Sequence, residues 1–79
     1  MARYHFNLRE RSGLVEDEEG RELAGMEEVR AEALRGVRSV VAEDVLQGRV
    51  DLSGVLEVVD SEGRSVFSLP FRDAVDIQF

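Results

Sequence analysis

His5 is the only side chain here whose ordinary pKa lies near neutrality, and it stands between Tyr4 and Phe6 in an alternating run. As a general base it would need an oriented nucleophile or carboxylate. As a zinc ligand it would need companion imidazoles or thiolates, and the chain holds one histidine and no cysteine. The acidic run Glu16-Asp17-Glu18-Glu19 is the second candidate, because hard cations take several carboxylate oxygens. Calcium-loop spacing fails there: with Gly20 as the sixth loop residue the first ligand would be Val15, and with Gly63 it would be Val58. The expectation is therefore an exposed strand histidine and a solvated acidic turn that repels edge-to-edge pairing.

Other reactive patterns are equally bare. Ser12, Ser39, Ser53, Ser61, Ser65 and Ser68 lack a nucleophile-elbow setting, and no glycine run has phosphate-loop spacing. Arg3, His5, Arg9 and Arg11 share one face of the first alternating run, a basic stripe that either receives an acidic partner or pairs with Glu16, Glu18 or Glu57 of the same sheet. No catalytic, cofactor or metal residue is assigned.

The chain has ten arginines, no lysine and 17 carboxylates, for a formal charge of −7 without a basic tail. Binding nucleic acid draws much of its affinity from neutralising phosphates, so DNA and RNA are disfavoured as partners. The absence of cysteine fits a reducing cytoplasm, and no stretch reads as an export signal or a membrane span. A chain of 79 residues makes one domain, residues 1–79, with a modest core near the size at which oligomerisation becomes useful.

Tyr4, Phe6 and Leu8 alternate with polar residues as in a half-buried strand; Arg11-Ser12-Gly13 reads as a turn and Leu14-Val15-Glu16 as a short return strand. Leu23 is expected to close the corner. From Met26 to about Gln47 the period becomes helical, with Met26, Val29, Ala33, Val37, Val40 and Val41 in one stripe, Gly25 as N-cap and Gly48 as stop. Gly36 interrupts that helix, either for close approach to the sheet or as a surface flaw. Val55–Val59 and Arg64–Leu69 form a hairpin around Asp60-Ser61-Glu62-Gly63, with Leu56, Val58, Phe67 and Leu69 inward and Val55, Val59 and Val66 outward. The tail stays apolar through Val75, Ile77 and Phe79, which predicts either a fifth strand on its own sheet or a dimer contact.

Arg3-Tyr4, Phe6, Asp17-Glu18-Glu19-Gly20-Arg21-Glu22-Leu23 and Arg30-Ala31-Glu32-Ala33-Leu34 carry a resemblance, together with Val58-Val59-Asp60-Ser61-Glu62-Gly63 and Leu69-Pro70-Phe71-Arg72-Asp73-Ala74. These segments resemble a family of short, functionally uncharacterised bacterial proteins built as one domain of unknown function. The resemblance covers nearly the whole chain and implies a compact bacterial domain, with no functional residue to transfer. In element order alone the chain is also similar to the partial-fold antitoxins of the HicB type, without their separate DNA-binding segment.

These readings converge on an α+β fold of order ββαββ, one long helix on one face of a small antiparallel sheet. The expected function is a non-enzymatic protein-interaction or regulatory module, with a toxin-neutralising antitoxin as its closest specific form. A homodimer is expected, joined through sheet edges or the outer sheet face with help from the tail. The competing class is a small acid-base or metal-dependent enzyme using His5 and residues 16–19, which requires a deep pocket gathering them.

Overall fold

In the computed structural model, which describes all 79 residues, the alternating N-terminal run forms β1, Ala2–Glu10. Strand β2, Gly13–Val15, returns antiparallel along the far end of β1, with Leu8 opposite Val15. A further short strand, β3, Arg21–Leu23, pairs with the near end, Ala2 opposite Leu23. Leu23 thus ends a strand instead of merely turning a corner. One side of β1 is covered by two three-residue strands with the acidic loop between them.

Helix α1 spans Met26–Leu46, about 31 Å at 1.5 Å per residue. Val29, Ala33 and Val37 are fully buried, and Met26, Val40 and Val41 pack around them, so the stripe is the core face. Gly25 caps the start; Glu28 reaches back to accept the Ala24 N–H at 2.7 Å, and Glu27 and Glu28 sit at the positive helix end. At the other end Gly48 donates its N–H to the Val45 carbonyl at 2.9 Å.

Gly36 lies on the exposed side of this helix, and a Cβ there would meet nothing within 4 Å. It is a surface flaw, not a point of close approach. Gly36→Ala is expected to stabilise the protein by about 0.5–1 kcal/mol, because alanine restricts the unfolded backbone and meets no clash. Urea unfolding checks this through a higher midpoint at unchanged slope; a loss of stability would mean that the helix approaches something at that position.

Strands β4, Val55–Asp60, and β5, Ser65–Pro70, form the expected hairpin, and the sheet runs β2-β1-β4-β5 with every pairing antiparallel. Leu56, Val58 and Leu69 are buried with the helix stripe, Phe71 and Ala74. Phe67 lies half-buried beneath α1, with the Arg30 guanidinium carbon 5.9 Å from its ring centre. Val66 departs from its expected outward position. The register slips between Val58, opposite Phe67, and Val59, opposite Ser65, so Val66 is the unpaired bulge residue and packs half-buried against the core.

The architecture is α+β with the expected order, extended by β3 before the helix. Helix α1 sits off-centre, over β4, β5 and the 3-10 turn Phe71–Asp73 that follows β5. Phe71 donates its N–H to the Gly54 carbonyl at 2.9 Å and fills the space a side chain would take there, since a Gly54 Cβ would stand 2.7 Å from its ring. Arg38 Nε donates to the Ala74 carbonyl at 2.8 Å, which fixes the start of the tail against α1.

Beyond Ala74 the tail forms no strand, and Ile77 and Phe79 are exposed, Phe79 completely. The expectation of a fifth strand on its own sheet is corrected. Adding to the free side of β5 would require the chain to reverse within a few residues, whereas the 3-10 turn and the Arg38 contact lead it along the helix.

Candidate functional site

Asp17 organises the acidic loop. Its Oδ2 accepts the Phe6 N–H and its Oδ1 the Gly20 N–H, both at 3.1 Å, while its own N–H donates to Asn7 Oδ1 at 2.9 Å. The carboxylate takes the place of a neighbouring strand in the gap between β2 and β3, satisfying a β1 donor that would otherwise lack a partner. Gly20 follows at φ +73°, and a Cβ on it would lie 2.9 Å from both the Tyr4 carbonyl oxygen and His5 Cε1. Only glycine fits there.

His5 is half-buried rather than freely exposed, and its Nδ1 lies 2.7 Å from the Asp17 carbonyl oxygen. A carbonyl only accepts, so Nδ1 carries the proton of this bond. The ring lines an open depression of about 400 Å³ on the outer sheet face with Glu16, Glu18 and Asp60. Asp60 is already committed: its Oδ1 accepts the Glu62 and Arg64 N–H groups at 2.9 Å and its Oδ2 the Arg64 Nε at 3.0 Å. The Arg64 N–H, chief among these, holds the Asp60 carboxyl below its usual range. Histidine and acidic loop do meet, yet Asp17 spends its oxygens on backbone donors, Asp60 spends its own on backbone donors and the Arg64 guanidinium, and no three His, Asp or Glu side chains are grouped to hold a metal ion.

The basic stripe is divided. Arg3 pairs with Glu22 at 2.9 Å and donates to the Glu19 carbonyl at 2.7 Å, while Arg11 Nε reaches Asp51 Oδ2 at 3.3 Å. The expected partners Glu16, Glu18 and Glu57 take no part. Asp51 is lowered to about 2, mainly by the Ser53 hydroxyl and N–H on its Oδ1 and then by Arg11. Arg9 makes no ion pair, so of the three arginines in the stripe it alone is left without a carboxylate partner.

That face is less apolar than its valines suggest. Val59 lies opposite His5 and Val55 opposite Arg9, with Glu57 between them, so the longer side chains shade both valines to half-burial. On the helix side, the off-centre seat of α1 leaves a groove of about 510 Å³ floored by Phe6, Leu8, Val40 and Leu56. Glu32 receives both Arg21 and Arg35 at its rim, tying β3 to the helix. Bare apolar side chains occur in the tail, at Ile77 and Phe79, and on the outermost strand β2, at Leu14 and Val15.

The profile of one family, Domain of unknown function (DUF6894), matches residues 3–72. The chain belongs to the DUF6894 family. No curated protein and no solved structure matches it. The DUF6894 match takes in the acidic loop, α1, the whole hairpin and the start of the 3-10 turn, whereas Val75, Ile77 and Phe79 lie beyond it. No helix of this DUF6894 chain is long and apolar enough to cross a membrane.

Composition had not singled out Asp17 among four adjacent carboxylates. The signal available was its spacing: Asp17 stands three residues before Gly20, near enough for its short carboxylate to take that N–H, opposite an alternating strand that carries Asn7.

Proposed function

We propose that this DUF6894 domain is a homodimeric, non-enzymatic protein-interaction module. The observation that carries this reading is the tail: Ile77 and Phe79 stand in solvent on a small domain with only eight buried hydrophobic residues. A phenylalanine can withdraw roughly 150–250 Å² from water on association, a large increment for a core of this size. The chemistry-bearing groups support the same reading, because Asp17, Asp51 and Asp60 each hold their own loop together. The charge of −7 favours a protein surface over a phosphate backbone.

Sedimentation across micromolar concentrations is expected to give twice the 8.9 kDa chain mass. Deleting residues 75–79 should shift the distribution toward the monomer and lower the melting temperature with it. A single monomeric species throughout that range would refute the proposal.

A further inference from the structure

The two sides of the sheet end differently. On the β1 side the sheet ends in β2 and β3, three residues each and parted by the acidic loop with its Asp17 carboxylate, so neither offers a long edge for pairing. Along β5 nothing is paired, and Ser-Val-Phe-Ser-Leu-Pro, residues 65–70, carries no charge in a chain that is 34% charged. Natural edge strands are commonly blunted by charges, prolines or bulges, and β5 has only a bulge at one end and Pro70 at the other. Its centre is left open.

The direction of the open groups follows from the ladder. Phe71 donates inward to Gly54, so by alternation Leu69 and Phe67 face β4 while Ser68 turns its N–H and C=O outward. We propose that two copies of this chain join through β5, antiparallel, about a two-fold axis at Ser68, making one continuous sheet ordered β2-β1-β4-β5-β5-β4-β1-β2. The proposal rests on the homodimer reading and adds its geometry.

At such an axis Ser68 of each copy donates to the Ser68 carbonyl of the other, so both bonds are reciprocal, as an isologous contact requires. Pro70 lacks an N–H and limits how far the pairing extends, which keeps the contact local. Two molecules of charge −7 repel one another, and β5 is the longer of the two uncharged strands that end the sheet, so pairing along it brings no carboxylate of that strand against its copy. Edge pairing of six residues falls short of the roughly 1,000 Å² that a stable interface needs, and the exposed Ile77 and Phe79, in the segment that follows β5 through the 3-10 turn, would supply the remainder.

The absence of native cysteine makes the test clean. In the full chain carrying Ser68→Cys, a residue exposed on the outer face, the two Cα atoms at the axis would stand about 5.5 Å apart, inside the window for a disulfide. Mild oxidation should cross-link most of that variant, whereas Ser12→Cys and Ser39→Cys, on the β1–β2 turn and the helix surface, should remain largely monomeric on denaturing gels. The melting temperature of each reduced variant verifies that it is folded. Ser68→Lys should weaken the dimer about tenfold by facing two like charges, and added salt should tighten the wild-type dimer by screening.

A wild-type dimer in which Ser68→Cys cross-links no better than the control positions would overturn the β5 geometry and leave the homodimer reading standing. A wild type that is monomeric at all concentrations would overturn both.

Discussion

Val37→Asp abolishes the folded state. Val37 is fully buried between Val29 and Ala33 on the only helix and the buried residues of the hairpin, with no polar group there to receive a carboxylate. The substitution removes about 2 kcal/mol of apolar burial and demands several more for an unpaired charge. A domain of this length has roughly 4–10 kcal/mol in total, so circular dichroism should show no cooperative melt. Val37→Ala, which leaves only a cavity, should lower stability by about 2 kcal/mol and keep the transition two-state. A Val37→Asp protein that stays folded would mean that the helix stripe is not the core.

The second large effect is at Asp17, where the expected loss upon Asp17→Ala is about 2–4 kcal/mol. Two backbone donors, of Phe6 and Gly20, lose a charged acceptor at once, and Phe6 N–H faces a gap in the sheet that no other strand covers. Glu16→Ala and Glu18→Ala, whose side chains are exposed and make no hydrogen bond, should each change stability by less than about 0.5 kcal/mol. Urea denaturation of the three variants separates the roles. Equal, small effects would show that the acidic run acts only as a charged surface.

The elements with strong periodicity were legible in the sequence. The helix stripe runs through Val29, Ala33 and Val37 because burial on one face of a helix repeats at that spacing, and Gly25 and Gly48 bound it where they should. The hairpin was legible because Leu56, Val58, Phe67 and Leu69 alternate around a turn closed by Gly63. Strand β3 was hidden, since Arg-Glu-Leu has neither alternation nor β-branched residues and pairs only because β1 offers it an edge. Val66 was misplaced because a bulge shifts the parity of a strand without changing its composition.

The electrostatic pairs were the least legible part of the site. Arg3 found Glu22 because β3 brought it alongside, and Arg11 found Asp51, forty residues away, across the end of the sheet. Such partners depend on where chain segments meet, and charge counting along one strand cannot supply that. The tail shows the opposite case: Val75, Ile77 and Phe79 alternate like a strand, yet only Val75 touches the core.

All eight buried hydrophobic residues lie between Val29 and Ala74, beneath the off-centre helix, and none comes from the first 28 positions. The molecule therefore holds two grades of cooperative structure. Parting α1 from the hairpin dissolves the whole fold, whereas detaching β2 and β3 from β1 uncovers little apolar surface and amounts to a sub-global opening. Backbone amides in the middle of β4 and α1 would exchange with solvent hydrogen only at the pace of complete unfolding. Those along the outer side of β1 are retained by one carboxylate and six strand residues, and that margin sets how often the acidic loop, with His5 beneath it, comes undone in an otherwise native molecule.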